Sequence, residues 1–111
     1  MPRIYKPHIP DSPSELIDLL AMMVLESPSL NDKTGYFPEQ NIETVFYALI
    51  EGLKINRSKL GEELYLQLRA MSDQMRIHFE ADPENKTDET LKGRDIIYQM
   101  EALITPLIRD C

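Results

Sequence analysis

Two histidines, one cysteine and nineteen carboxylates are the groups in this 111-residue chain that could transfer protons, ligate a metal or attack a substrate. Their spacing builds no such site. His8 and His78 are far apart, no HExxH or paired ExxH pattern occurs, and Cys111 has no activating residue beside it in sequence. Glu62 and Glu63 are adjacent, so on a helix they point about 100° apart and cannot cooperate as an acid and base pair. The four glycines are scattered singly, which leaves no loop to cradle phosphate. The residues therefore point to no enzyme, no metal and no cofactor. A metal or catalytic protein using His78 with Glu or Asp partners stands as a minor alternative to a hydrogen-bonded structural histidine.

The carboxylates suit recognition better than catalysis. Asp and Glu outnumber Lys and Arg 19 to 12, for a net charge of -7 and a pI near 4.7. A surface of that sign repels a phosphate backbone, whose binding depends on Lys and Arg displacing counterions, so direct nucleic-acid binding is disfavoured. It favours encounter with a basic protein. The densest acidic run is Glu80, Asp82, Glu84, Asp88 and Glu89, the expected steering group, with Tyr36, Phe37 and Tyr98 as candidate aromatic anchors.

The elements that must position these groups are all helical. One core serves a chain of this length, so a single domain spanning 1–111 is expected. Residues 58–81 carry Leu60, Leu64, Leu68, Met71, Met75 and Phe79 at helical spacing without proline, and Pro83 closes the stretch. Ser12-Pro13-Ser14-Glu15 is a helix start, with Ser12 as cap, Pro13 in the first turn and Glu15 completing a capping box; the helix runs 13–26. It is apolar most of the way round and is expected to be the most buried. Ile42, Val45, Phe46, Leu49, Ile50 and Leu53 define a helix over 38–54, starting near Pro38 or Asn41. Ile96, Ile97, Met100, Leu103 and Ile104 define another over 88–105, capped by Thr87 or Asp88 and kinked or ended by Pro106. Gly93 on that helix's core face implies close backbone approach.

Short turns between four helices predict an all-α, up-and-down bundle. Residues 1–11, with Pro2, Pro7 and Pro10, predict an extended arm, in which Ile4, Tyr5 and Ile9 either pin to the helices or await a partner. Tyr36 and Phe37 lie in a long loop and either plug one end of the helices or anchor a partner. Up-and-down connectivity would gather most of the acids at one pole and Lys54, Arg57, Lys59 and Arg109 at the other.

Two further lines of residues need explaining. Leu66, Ala70, Asp73 and Ile77 stand at i, i+4, i+7 and i+11, and Leu91, Asp95, Tyr98 and Ala102 repeat the pattern. They are either flanks of wide buried faces or an exposed binding surface on the hairpin whose tip holds the acidic run.

The single cysteine forms no disulfide within the chain, MPRIYKPHIPDSP lacks the apolar run of a signal peptide, and no segment is long and apolar enough for a membrane span. A cytoplasmic protein is expected, with no membrane contact.

The series PSELIDLLAMMVLE, NIETVFYALIEGL, SKLGEELYLQLRAMSDQMRIHF and RDIIYQMEALI, joined by acid-rich turns, resembles the small acidic helical immunity proteins that bacteria pair with toxins, in contact-dependent growth inhibition and colicin-like systems. The resemblance lies in size, charge and helicity. It implies a cytoplasmic inhibitor that binds a cognate toxin domain, often a basic nuclease, and occludes its active site. The competing expectation is a self-associating helical adaptor or regulatory protein, a homodimer held through the two stripes.

Overall fold

The computed structural model describes residues 7–32 and 38–109, without the side chain of Arg109. Five helices are present among the described residues and no strand: α1 Pro13–Glu26, α2 Ile42–Ile55, α3 Arg57–Leu60, α4 Glu62–Glu80 and α5 Glu89–Arg109. The chain is all-helical, as the periodicity predicts.

Local chemistry explains most of the boundaries. Ser12 Oγ accepts from Glu15 N–H at 3.2 Å and starts α1. The Glu15 side chain does not close the expected capping box; it pairs with His8 instead. Of the two expected starts, Pro38 and Asn41, the structure takes the second: α2 begins at Ile42, because Asn41 and Thr44 form the reciprocal cap.

The expected continuous helix over 58–81 is divided. Gly61 takes φ 86 and ψ 152, a backbone region reserved for glycine, and separates α3 from α4. Leu60 and Tyr65 are buried on either side of the break, five residues apart, so the buried face changes phase at Gly61 and Leu64, four residues after Leu60, is only half-buried. Arg57 spans it, donating from both Nε and Nη2 to the Glu62 carboxylate.

Pro106 neither ends α5 nor leaves a separate final turn, for the helix runs on to Arg109. Proline removes one hydrogen-bond donor. Ile104, fully buried, and Ile108, packed against the core, hold the backbone on either side of that loss.

Packing joins α4 to α5 and α2, and α1 to α5 and α2. The core enclosed by these helices includes Leu16, Leu20, Met23, Phe46, Leu49, Leu68, Met75, Phe79, Ile97, Met100 and Ile104. α1 is not the most buried helix: Leu25 is largely exposed and Met22 only half-buried, whereas α2 buries Val45, Phe46, Ala48, Leu49, Gly52 and Leu53.

Two glycines mark close approaches. A Cβ on Gly93 would lie 2.7 and 2.9 Å from Cδ1 and Cζ of Phe79, and nearer still to Cε1, so α5 reaches α4 at a point only glycine permits. A Cβ on Gly52 would lie 3.0 Å from Pro10 Cδ and 3.1 Å from Leu16 Cδ2. The described part of the arm rests there: Pro10 is buried, Ile9 half-buried, and Asn56 Nδ2 donates to Pro10 O at 3.2 Å and Gly52 O at 2.8 Å. Residues 7–11 are thus pinned to the helices, while Ile4 and Tyr5 lie outside the described residues.

Candidate functional site

The acidic run occupies the connection between α4 and α5, and the fold treats its members differently. Asp82 is buried, 3% exposed, and organises the turn. Its carboxylate accepts from the N–H groups of Lys86 at 2.7 Å, Thr87 at 3.1 Å and Thr90 at 3.3 Å, and from Thr90 Oγ1 at 2.9 Å. Burial pushes this carboxyl up, but the hydrogen bonds from Lys86, Thr90 and Thr87 together outweigh it and hold the pKa at about 2. Asp82 is therefore a folding residue in which four donors converge on one side chain.

The other acids of the run lie nearer the surface. Glu89 is half-buried and accepts from His78 Nδ1 at 2.7 Å and Lys92 Nζ at 3.0 Å; the His78 hydrogen bond, with that of Lys92, lowers its pKa. His78 is accordingly a clasp between the end of α4 and the start of α5. Glu80 is exposed and pairs with Arg76 at 3.2 Å, and Glu84 is exposed and pairs with Lys86 at 2.8 Å. Asp88 alone of the five is exposed with no cation against its carboxylate among the described residues. The aromatic anchors divide as well. Tyr98 is 55% exposed on α5, while Tyr36 and Phe37 lie outside the described residues.

What sequence reasoning misses at the tip is the pairing: Arg76, Lys86, Lys92 and His78 are the only signal, and spacing to Glu80 and Glu89 at four and three residues identifies two of the pairs. The same holds across the molecule. Lys54 pairs with Glu51 and Arg57 with Glu62; Arg94 donates to Ser27 Oγ at 2.7 Å; Arg69 donates to the Tyr65 hydroxyl; Lys59 reaches Asp11 O at 3.5 Å. Arg76 also lies over the Phe46 ring and Arg57 over the Tyr65 ring. Every lysine and arginine whose side chain is described is thus engaged within the chain. The carboxylates of Asp18, Glu43, Glu63, Asp73 and Asp88 meet no cation among the described residues.

The two mixed stripes face outward. Leu66 and Ile77 on α4 are 56% and 57% exposed, and Leu91 on α5 is 57% exposed beside Tyr98 on the same helix. Ala70, Asp73, Asp95 and Ala102 are exposed with them. They are not flanks of the core.

A separate groove of about 670 Å³ lies between the arm, α1 and α2, with Pro7, Pro10, Leu19, Met22 and Val45 in its largely apolar lining. His8 and Glu15 also line it and are paired to each other. Among the described residues, no three His, Cys, Asp or Glu side chains are grouped to hold a metal ion, and no helix is long and apolar enough to cross a membrane. Compared with family models, curated proteins and solved structures, the chain matches none.

Proposed function

We propose that this chain is an acidic immunity-type protein that binds a basic toxin domain, a nuclease, and neutralises it by occluding its active site. The observation that supports this reading is the asymmetry of the charges: of the eight cations whose side chains are described, five face a carboxylate and the other three are engaged by neutral groups, whereas carboxylates on several helices stand exposed without a counter-ion among the described residues. A surface arranged in this way attracts a basic protein over a distance of about a Debye length and answers its lysines and arginines on contact. On this reading the four longer helices form an up-and-down bundle, the protein works in the cytoplasm, and the α4–α5 hairpin is the working part.

The test is the rate of association with the basic domain encoded beside this chain, measured between low and physiological salt. Replacing Glu63, Asp73, Asp88 and Asp95 by their amides should slow association about tenfold at low salt and flatten its salt dependence, as removal of steering charge does. Replacing Asp82 is unsuitable for this purpose, since it would disturb the turn. An unchanged rate and slope, or the lack of any basic neighbour that binds, would overturn the proposal.

A further inference from the structure

We infer that the outward faces of α4 and α5 are the docking surface, and that the partner presents an amphipathic element whose apolar side chains are bordered by lysine or arginine. The inference rests on the basic-partner reading above and says where and how such a partner is held.

Helix geometry puts these faces as far from the core as side chains can be. On α4 the buried positions are Tyr65, Leu68, Ser72, Met75 and Phe79. Ile77 stands two residues from both Met75 and Phe79, about 200° round the helix from each, and Leu66, Ala70 and Asp73 share its side. On α5, Ile97, Met100 and Ile104 are buried, and Leu91, Asp95, Tyr98 and Ala102 lie on the opposite side. Nothing among the described residues covers Leu66, Ile77, Leu91 or Tyr98, each more than half exposed. Summed over the two helices they expose on the order of a few hundred Å² of apolar surface.

Charge selects the occupant. Within the two stripes the charged groups are Asp73 and Asp95, with exposed Glu63 one turn before Leu66 on the same side. Asp95 accepts from Gln99 at 2.7 Å and meets no cation among the described residues. The nearest cations by helical position are Arg69, four residues before Asp73, and Arg94, three after Leu91; Arg69 donates to the Tyr65 hydroxyl and Arg94 to Ser27 Oγ, while Arg76 and Lys92, slightly further round, are held by Glu80 and Glu89. A second copy of this chain laid on the same face would bring Asp73 and Asp95 against carboxylates, and the bordering Arg69 and Arg94 are already held by Tyr65 and Ser27. A partner with apolar side chains flanked by cations satisfies both halves of the pattern, burying the four hydrophobes and pairing the two aspartates.

The experiment uses the full chain, isotopically labelled, and two synthetic peptides of identical leucine and lysine content, one ordered as an amphipathic helix and one scrambled. Amide shifts on adding the amphipathic peptide should map to the outward positions of α4 and α5. Ile77→Ser with Tyr98→Ser should weaken binding at least about tenfold, and Asp73→Asn with Asp95→Asn should weaken it at low salt but little at high salt. All four positions are exposed, and thermal unfolding of the variants should match the parent. Equal binding of the two peptides, or binding that maps to the groove beside the arm, would overturn the docking surface and leave the basic-partner reading standing. Binding of neither peptide at low salt would overturn both. A dimer in sedimentation at micromolar concentration that Ile77→Lys dissociates would replace the basic partner on this face by a second copy.

Discussion

Gly93→Ala tests the join on which the α4–α5 hairpin depends. Glycine within a helix normally costs about 1 kcal/mol relative to alanine, so helix propensity alone predicts a more stable protein. The structure predicts the reverse. The new Cβ would meet three carbons of the Phe79 ring at under 3 Å, against about 3.5 to 4.0 Å for ordinary carbon contact, so ring or helix must retreat by about 1 Å. Phe79 is fully buried and cannot swing out into solvent. Overpacking of this kind costs about 1 to 3 kcal/mol and belongs at the upper end here, because the obstacle is a rigid ring. After the propensity gain, a net loss of roughly 1 to 2 kcal/mol remains, which for a chain of this length lowers the melting temperature by roughly 4 to 9 °C. Urea and thermal unfolding measure it. Phe79→Leu removes the obstacle, so the double variant should be more stable than the sum of the single effects predicts, with a coupling of about 1 kcal/mol or more. A Gly93→Ala protein as stable as the parent, or more so, would refute the close approach and the spacing of the hairpin built on it.

Other substitutions probe the turn, the arm and the divided helix. Asp82 has a folded pKa of about 2 against an ordinary 3.8, so its contribution to stability is present above pH 4 and disappears as pH falls from about 4 to 2; urea unfolding should show the gap between parent and Asp82→Asn closing over that window. Asn56→Ala removes the donor to Pro10 O and Gly52 O from a fully buried site and should cost about 1 to 3 kcal/mol, with faster proteolysis within residues 7–11 as its local signature. Gly61→Ala meets no atom within 4 Å yet should destabilise by about 1 to 3 kcal/mol, because alanine does not tolerate φ 86 with ψ 152; an unchanged melting temperature would show that α3 and α4 are one helix in solution.

The helices were legible because burial and periodicity agree over long stretches, and the joints were less legible because their chemistry is local or distant. Ser12 lies three residues before the N–H it accepts from, and a short motif reveals that. Gly61 breaks a helix without breaking the apolar rhythm of the sequence, since Leu60, Leu64 and Leu68 keep four-residue spacing across it, although the fold buries Tyr65 in preference to Leu64. Gly52 in sequence is only a weak helix residue. Its purpose is visible only once Pro10, forty-two positions earlier, is seen lying on it. Of the two readings of Pro106, a kink or an end, the end is wrong for the same reason, since the rule that proline ends a helix weighs one backbone hydrogen bond and not the packing of Ile104 and Ile108 around it.

Charge is the harder quantity to read from a sequence, because a carboxylate's availability depends on what the fold sets against it. The run from Glu80 to Glu89 is the densest acidic stretch, yet Asp82 is spent on the turn, and Glu80, Glu84 and Glu89 face Arg76, Lys86, and the His78 and Lys92 pair. A close carboxylate and ammonium form a dipole whose field dies away over a few ångströms in water, so such pairs contribute little steering at a distance. Asp73 and Asp95 are sparser, but they meet no cation among the described residues and stand among exposed apolar side chains. Density of acids therefore identifies the tip, whereas unanswered charge beside uncovered hydrophobic surface identifies the outer faces. A partner driven by charge alone would be insensitive to Ile77 and Tyr98; one held by the outer faces would lose affinity with them even when every carboxylate is left in place.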